Sequence, residues 1–363
     1  MDNLIISISA FLLIISIMVF IHEWGHFYVA RLCGVKVDVF AIGFGKTICS
    51  IFDNKGTEWK INILPLGGYV KMYGDAGPAS NPDKTIVDSM TDDQKKLSFF
   101  HKSLLQKTLI VFAGPFMNYI LAVVVMMIIL VSYGDKTLSS KVAGLEAESP
   151  AAQAGILIGD VIQSVNGQKV PDMIEVKNII NKNRENKPMS FTVLRGDAEI
   201  EIWVTPKKIQ IPGSNVIHYR IGVIPTEELI YYSLIDSFLM ATERIILLNN
   251  MMIEGIIKLI SGRGSMEELG GPIKIAQISG EAAKNGMQSF LTLLVILSIN
   301  LGLMNLLPIP GLDGGHLMYY AISAISGRAI PKKIEEIGIK FGIILLMSLL
   351  VFVTYNDILG LFK

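Results

Sequence analysis

The sequence predicts a polytopic α-helical membrane protein with four transmembrane helices, a β-hairpin between the first two, and a β-rich module inserted between the second and third. Three observations carry this reading. The 363-residue chain is 51% hydrophobic and 18% charged, against about 45–50% and about 25% for an ordinary soluble chain. Its apolar residues gather in four long blocks. Between two of those blocks, residues 142–207 carry turn signals and short β-branched runs instead. Lys+Arg and Asp+Glu number 32 each, so there is no net basic field to attract nucleic acid, which is excluded as a partner. Cys33 and Cys49 are too few for a disulfide scaffold and form no CxxC pair.

The first block, LIISISAFLLIISIMVFI from Leu4 to Ile21, is uncharged over 18 residues, about the length that spans the hydrocarbon core. No basic stretch precedes it and no small-residue cleavage site follows, so it reads as an anchor rather than a cleaved signal peptide. The first helix is assigned to residues 1–34, the second to 108–133, the third to 289–320 and the fourth to 337–358. The intervening segment 35–107 is rich in lysine, including Lys36, Lys46, Lys60, Lys71, Lys95, Lys96 and Lys102, and the short loop 321–336 carries Arg328, Lys332 and Lys333. The positive-inside rule makes both loops cytoplasmic and leaves both termini and the 134–225 module outside. Residues 226–288 begin with an apolar stretch that holds Asp236, Glu243, Arg244, Glu254 and Lys258. Each such charge costs roughly 2.5–3.5 kcal/mol at mid-bilayer. An amphipathic helix at the outer membrane surface, or packed against the spans, is therefore expected there.

Between the first two spans, EWKINIL and GYVKMYG flank Pro65 and the pair Gly67-Gly68. Two alternating runs about a turn predict a hairpin. The polar stretch Ala76–Lys96, with Pro78 and Pro82, is expected to be a mobile loop. In the inserted module, Gly155, Gly159-Asp160, Asn166-Gly167 and Gly196-Asp197 separate runs such as VIQSV and FTVL, with one helix around Ile174–Lys182. The order SPAAQAGILIGDVIQSVNGQKV is similar to a circularly permuted bacterial PDZ domain. That likeness implies a groove that takes a peptide or chain terminus by strand addition.

The chemistry starts at His22-Glu23-Trp24-Gly25-His26. Residues four apart share one helix face, so both imidazoles can reach one Zn²⁺ while Glu23 acts on its water. A catalytic zinc needs a third protein ligand. His101 and His218 fall in polar, exposed settings, whereas Asn305-Leu-Leu-Pro308-Ile-Pro310-Gly-Leu312-Asp313-Gly314-Gly315-His316 brings a carboxylate to the inner end of the third span. Asp313 is the favoured ligand, with His316 either a substitute or a supporting residue. Asn118 and Asn305 are amides within apolar surroundings, suited either to unwound substrate backbone or to joining helices.

HEWGH, NLLPIPGLDGGH and the PDZ-like module, together with Gly43-Phe44-Gly45 and Ala113-Gly114-Pro115-Phe116-Met117-Asn118, make the chain resemble the site-2 protease family of intramembrane zinc metalloproteases, in its bacterial single-PDZ branch. The resemblance implies that His22, His26 and Asp313 hold Zn²⁺ and that Glu23 is the catalytic base. It also implies a membrane-re-entrant hairpin near the active site. Asn118, Asn305, Gly67 and Gly68 then become candidate substrate contacts. The implied setting is the bacterial inner membrane. The implied reaction is cleavage of a single-span protein's transmembrane segment after a first extracytoplasmic cut, with anti-sigma factors or signal-peptide remnants as typical substrates. Two other readings stay open: a membrane-anchored zinc peptidase acting on soluble peptides, and a non-enzymatic PDZ scaffold. A structural zinc normally has four protein ligands, and only three are nominated here.

Overall fold

The computed structural model describes residues 2–75, 77, 84–183, 187–210, 217–263, 270–328 and 330–360. Pro78 and Pro82 lie outside the described residues, as does the side chain of His218. The chain forms two compact units, residues 1–131 with 233–363, and Ser132–Tyr232.

In chain order, helix α1 (Asp2–Leu32) leads into strands β1 (Val37–Phe52) and β2 (Glu58–Met72), short helices α2 (Lys84–Asp88) and α3 (Asp92–Leu97), and the long helix α4 (Leu104–Ser132). The hairpin differs from the sequence expectation in its turn. EWKINIL and GYVKMYG do not pair across Pro65; both belong to β2 and pair with β1, with Phe40 opposite both Trp59 and Val70. The tight turn lies at Asp53–Thr57. There Gly56 takes a positive φ of 78°, and the Asp53 carboxylate accepts N–H groups from Lys55, Thr57 and the Trp59 indole as well as Arg31. Burial pushes the Asp53 carboxyl up, but these bonds outweigh it and hold it below the usual carboxylate range. Phe27, Phe40 and Trp59 meet edge-to-face or tilted at centroid distances of 4.5–5.5 Å and fasten this sheet to α1. The expected mobile loop is partly helical. Helix α3 opens with a capping box between Thr91 and Gln94, which satisfies two end donors at once.

The second unit begins with β3 (Asp135–Leu145), α5 (Pro150–Ala154), β4 (Val161–Val165) and β5 (Gln168–Lys169). It continues with α6 (Met173–Lys182), β6 (Met189–Arg195), β7 (Ala198–Val204), β8 (Lys207–Gln210), β9 (Ile217–Arg220) and β10 (Val223–Ile230). Strands run β10-β3-β4-β6-β7, with β5 paired to β4 and β8–β9 a separate pair. Alternate residues Met189, Phe191 and Val193 of β6 are buried, as a one-sided sheet requires. They meet Val176, Ile179 and Ile180 of α6 in one core with Ile162 and Val165. Asn166 and Gly167 both take positive φ between β4 and β5, the chemistry of a two-residue hairpin turn.

Helices α7 (Leu234–Ile260), α8 (Pro272–Lys284), α9 (Met287–Leu306), α10 (Asp313–Ser326) and α11 (Lys332–Gly360) complete the first unit. Segment 226–288 is therefore not one surface element. Its last part, α8, packs against α1, and Asp357 of α11 accepts the Gly271, Ile273 and Lys274 N–H groups at the start of α8. Tyr119 in the middle of α4 donates to Asn249 of α7 at 2.7 Å. Within 289–320, where the prolines and paired glycines predict a break, the chain forms two helices, α9 and α10, because Pro308 and Pro310 supply no N–H to continue one. Among the described residues four helices are long and apolar enough to cross a membrane: Asn3–Leu32, Leu104–Ser132, Met287–Leu306 and Lys333–Gly360.

Candidate metal centre

The centre assembles from two helices of the first unit, α1 and α10, backed by α4. On α1, His22 and His26 stand one turn apart with their Nε2 atoms 3.3 Å from each other. Asp313, the first residue of α10, brings Oδ2 to 3.2 Å from His22 Nε2 and 3.5 Å from His26 Nε2. These three side chains form a group able to hold a metal ion.

The donor set fits a zinc ion. Tetrahedral ligands at Zn–N distances of about 2.0–2.1 Å sit about 3.4 Å apart, and the three edges here are 3.2, 3.3 and 3.5 Å. Among the described residues, buried Asp313 Oδ2 faces the two imidazole nitrogens but has no hydrogen bond of good geometry, an expensive condition for a carboxylate oxygen that ligation would relieve. His26 Nδ1 lies 2.9 Å from the Ile110 carbonyl. That contact assigns the ring proton to Nδ1 and leaves the Nε2 lone pair aimed at the other two donors.

Close packing of α4 on α1 sets these positions. A Cβ at Gly25 would strike the Ala113 carbonyl, and a Cβ at Gly114 would overlap the His26 imidazole. Only glycine permits that approach at either point. The Asp313 side is built by the break after α9. Gly311 takes φ 97°, and Gly315 has no room for a Cβ, which would stand 2.6 Å from Pro310 Cα. The loop 307–312 thus folds back on the start of α10, and on its far side Gly342 of α11 receives the Pro310 carbonyl.

Glu23 lies beside the triad, half-buried, and the backbone of Val70 reaches its carboxylate. Gly68 allows this, since a Cβ there would stand 3.1 Å from Glu23 Cγ and 2.8 Å from the Ala41 carbonyl. Gly67, at φ 100°, is packed under Phe44. Asn305 sits half-buried near the end of α9. Asn118, read from the sequence as either a substrate contact or a joint between helices, lies in α4. It is completely buried, and its side-chain amide faces His22 Nδ1 at 3.2 Å. His316 is outside the ligand group and faces Glu335, with Nδ1 3.9 Å from Oε1. His101 is exposed in a short 3₁₀ turn. Sequence reasoning missed the Ile110 carbonyl and Gly114 as parts of the site. The Ala113-Gly114-Pro115 run was their one available signal, a glycine and a proline inside an otherwise apolar helix.

Comparison with known proteins identifies the family. Residues 10–349 match the family described as Peptidase family M50. A protein of Rickettsia conorii named as a zinc metalloprotease is 37% identical, over 99% of this chain and 100% of its own. One of Mesorhizobium japonicum, named likewise, is 35% identical, over 98% of this chain and 99% of its own. Among solved structures, the PDZ domain of an SdrC-like protein from Listeria innocua is similar over 25% of this chain and 96% of its own, at 22% identity and a TM-score of 0.21. With a match across nearly its whole length and full-length relatives above 30% identity, the chain belongs to peptidase family M50, the site-2 proteases, and is a metalloprotease.

Proposed function

We propose that this protein is an intramembrane zinc endopeptidase that cleaves transmembrane segments of single-span proteins. The observation that carries the reading is the convergence of His22, His26 and Asp313, with Glu23 beside them, among helices apolar enough to lie in a bilayer. His22 Nε2, His26 Nε2 and Asp313 Oδ2 would hold the metal, leaving a position open to water and substrate. When bound, zinc supplies Lewis-acid polarisation of the scissile carbonyl and a lowered pKa for its water. The Glu23 carboxylate takes the proton from the attacking water and delivers it to the leaving amide nitrogen.

A transmembrane helix hides its peptide bonds, so the substrate must be unwound before it is cut. The unwound backbone needs partners. Asn305, half-buried near the end of α9, and the strand edge at Gly67 and Gly68 can supply them. The lysine-rich segment 35–107 puts the centre toward the cytoplasm and the second unit outside. That unit, PDZ-like in its turn pattern, is then on the side where a first cut would shorten the substrate. It would engage a newly made chain terminus.

Glu23→Gln tests the reading. Zinc should remain bound at one per chain while cleavage stops, and membranes carrying the variant should accumulate single-span fragments already trimmed on the outer side. Continued proteolysis would remove Glu23 from the mechanism. Preferential cleavage of a soluble peptide by the wild type would favour the anchored-peptidase reading instead.

A further inference from the structure

We propose that Asn118 is a positioning residue for the metal centre, whose side-chain oxygen accepts the His22 Nδ1 proton and so keeps His22 Nε2 free to ligate. The inference rests on the zinc reading given above. Asn118 is 0% exposed, in the middle of α4, and its amide lies 3.2 Å from His22 Nδ1. Joining helices does not require that side chain. The interhelical bond at this residue runs from Ser298 Oγ of α9 to the main-chain carbonyl of Asn118, at 2.8 Å, and would survive loss of the amide.

Tautomer chemistry decides which amide atom must face the ring. A neutral imidazole carries one proton. If Asn118 Nδ2 donates to Nδ1, that proton sits on Nε2 and points into the triangle formed with His26 Nε2 and Asp313 Oδ2. Ligation is then blocked. If Oδ1 faces the ring, Nδ1 holds the proton and the Nε2 lone pair is available, the state that His26 reaches by donating to the Ile110 carbonyl at 2.9 Å. Among the described residues Asn118 Oδ1 has no partner in this orientation, so a half-turn of the amide costs its oxygen no hydrogen bond. The two ligand histidines are thus supported from the same helix, His26 by main chain and His22 by side chain, and ring orientation of this kind tunes metal affinity.

The test compares zinc affinity of the detergent-solubilised full chain, by competition with a chromophoric chelator, for wild type, Asn118→Leu, Asn118→Asp and Ser298→Ala. Leucine matches the amide in size and accepts nothing; it should weaken zinc binding by roughly 10- to 100-fold. Aspartate accepts only, and should hold zinc within about threefold of wild type or tighter. Ser298→Ala should lower the melting temperature and leave zinc affinity unchanged. Should the leucine variant fail to extract as folded protein, Asn118→Ala gives the same comparison. Leucine or alanine binding zinc like wild type, or aspartate binding as weakly as leucine in a folded protein, would overturn the assignment. Asp313→Ala serves as the control: if it too keeps full zinc, the metal site itself has been misplaced, a result distinct from failure at Asn118 alone.

Discussion

Gly114 is the residue at which helix packing and metal chemistry become one constraint, because any Cβ there would overlap the His26 ring. Alanine is the better helix former by about 1 kcal/mol, so Gly114→Ala should leave the helix content of α4 intact or slightly raised. Zinc affinity should nevertheless fall by at least roughly 10-fold, read by metal analysis beside far-ultraviolet circular dichroism. A variant that keeps full zinc would mean that α1 and α4 can part by the width of a methyl group. Residues such as His22, Glu23 and His26 are legible in a sequence because their relation is local, one turn of one helix. Asp313 is legible by residue type and by its place at the inner end of an apolar run, although nothing local ties it to position 22. Asn118 and Ile110 are of a third kind. Their roles exist only once α4 docks on α1, an approach that no spacing within either helix encodes, and a buried amide alone fits substrate holding and ring support equally well.

At the scale of elements, long apolar helices announce themselves by uninterrupted hydropathy, and the four helices long enough to span appear where the apolar blocks stand. The broken third helix and the hairpin turn were harder. Two prolines and two glycines mark an interruption, but the resumption of helix at Asp313 depends on Gly314 and Gly315 letting the loop lie against α10. Pro65 and Gly67-Gly68 look like a hairpin turn, while the working turn at Asp53 draws its stability from Arg31 and Trp59, one of them on another element. In the second unit, the end of β6 is tied to the turn before β4 by Arg195. It donates from Nε and Nη2 to the Asp160 carboxylate, each at 2.8 Å, and from Nη2 to the Gly155 carbonyl. The Asp160 side chain is 1% exposed, so Arg195→Met should strand a buried charge and cost about 2 kcal/mol. The Arg195 hydrogen bonds hold the Asp160 carboxyl below its usual range. Its stabilisation is therefore full above the unfolded value near about 3.9 and is lost as pH falls through the lower folded value. Urea unfolding followed at Trp203 should show wild type and variant well separated at neutral pH and converging below about pH 4. A gap that does not depend on pH would assign the effect to packing instead.

Across the whole molecule, the proposed metal ligands come from distant parts of the chain, at positions 22, 26 and 313, with α11 behind the last of them. Pro310 fits against Gly342, and the Tyr319 hydroxyl lies against Gly338, so the loop that aims Asp313 is shaped by the final helix. A chain ending at Gly327 retains every ligand but should bind no more than traces of zinc, as metal analysis of the purified truncation can determine. Zinc bound at one per chain would show that α10 orients Asp313 unaided. The packing of Pro310 on Gly342 has a consequence in time as well as in space. During synthesis the HEWGH helix is made long before α11, so both histidines precede by most of the chain's length the helix against which the Asp313 loop is packed. If His22, His26 and Asp313 hold the metal as proposed, a growing chain acquires a complete centre only after residue 342 has been made.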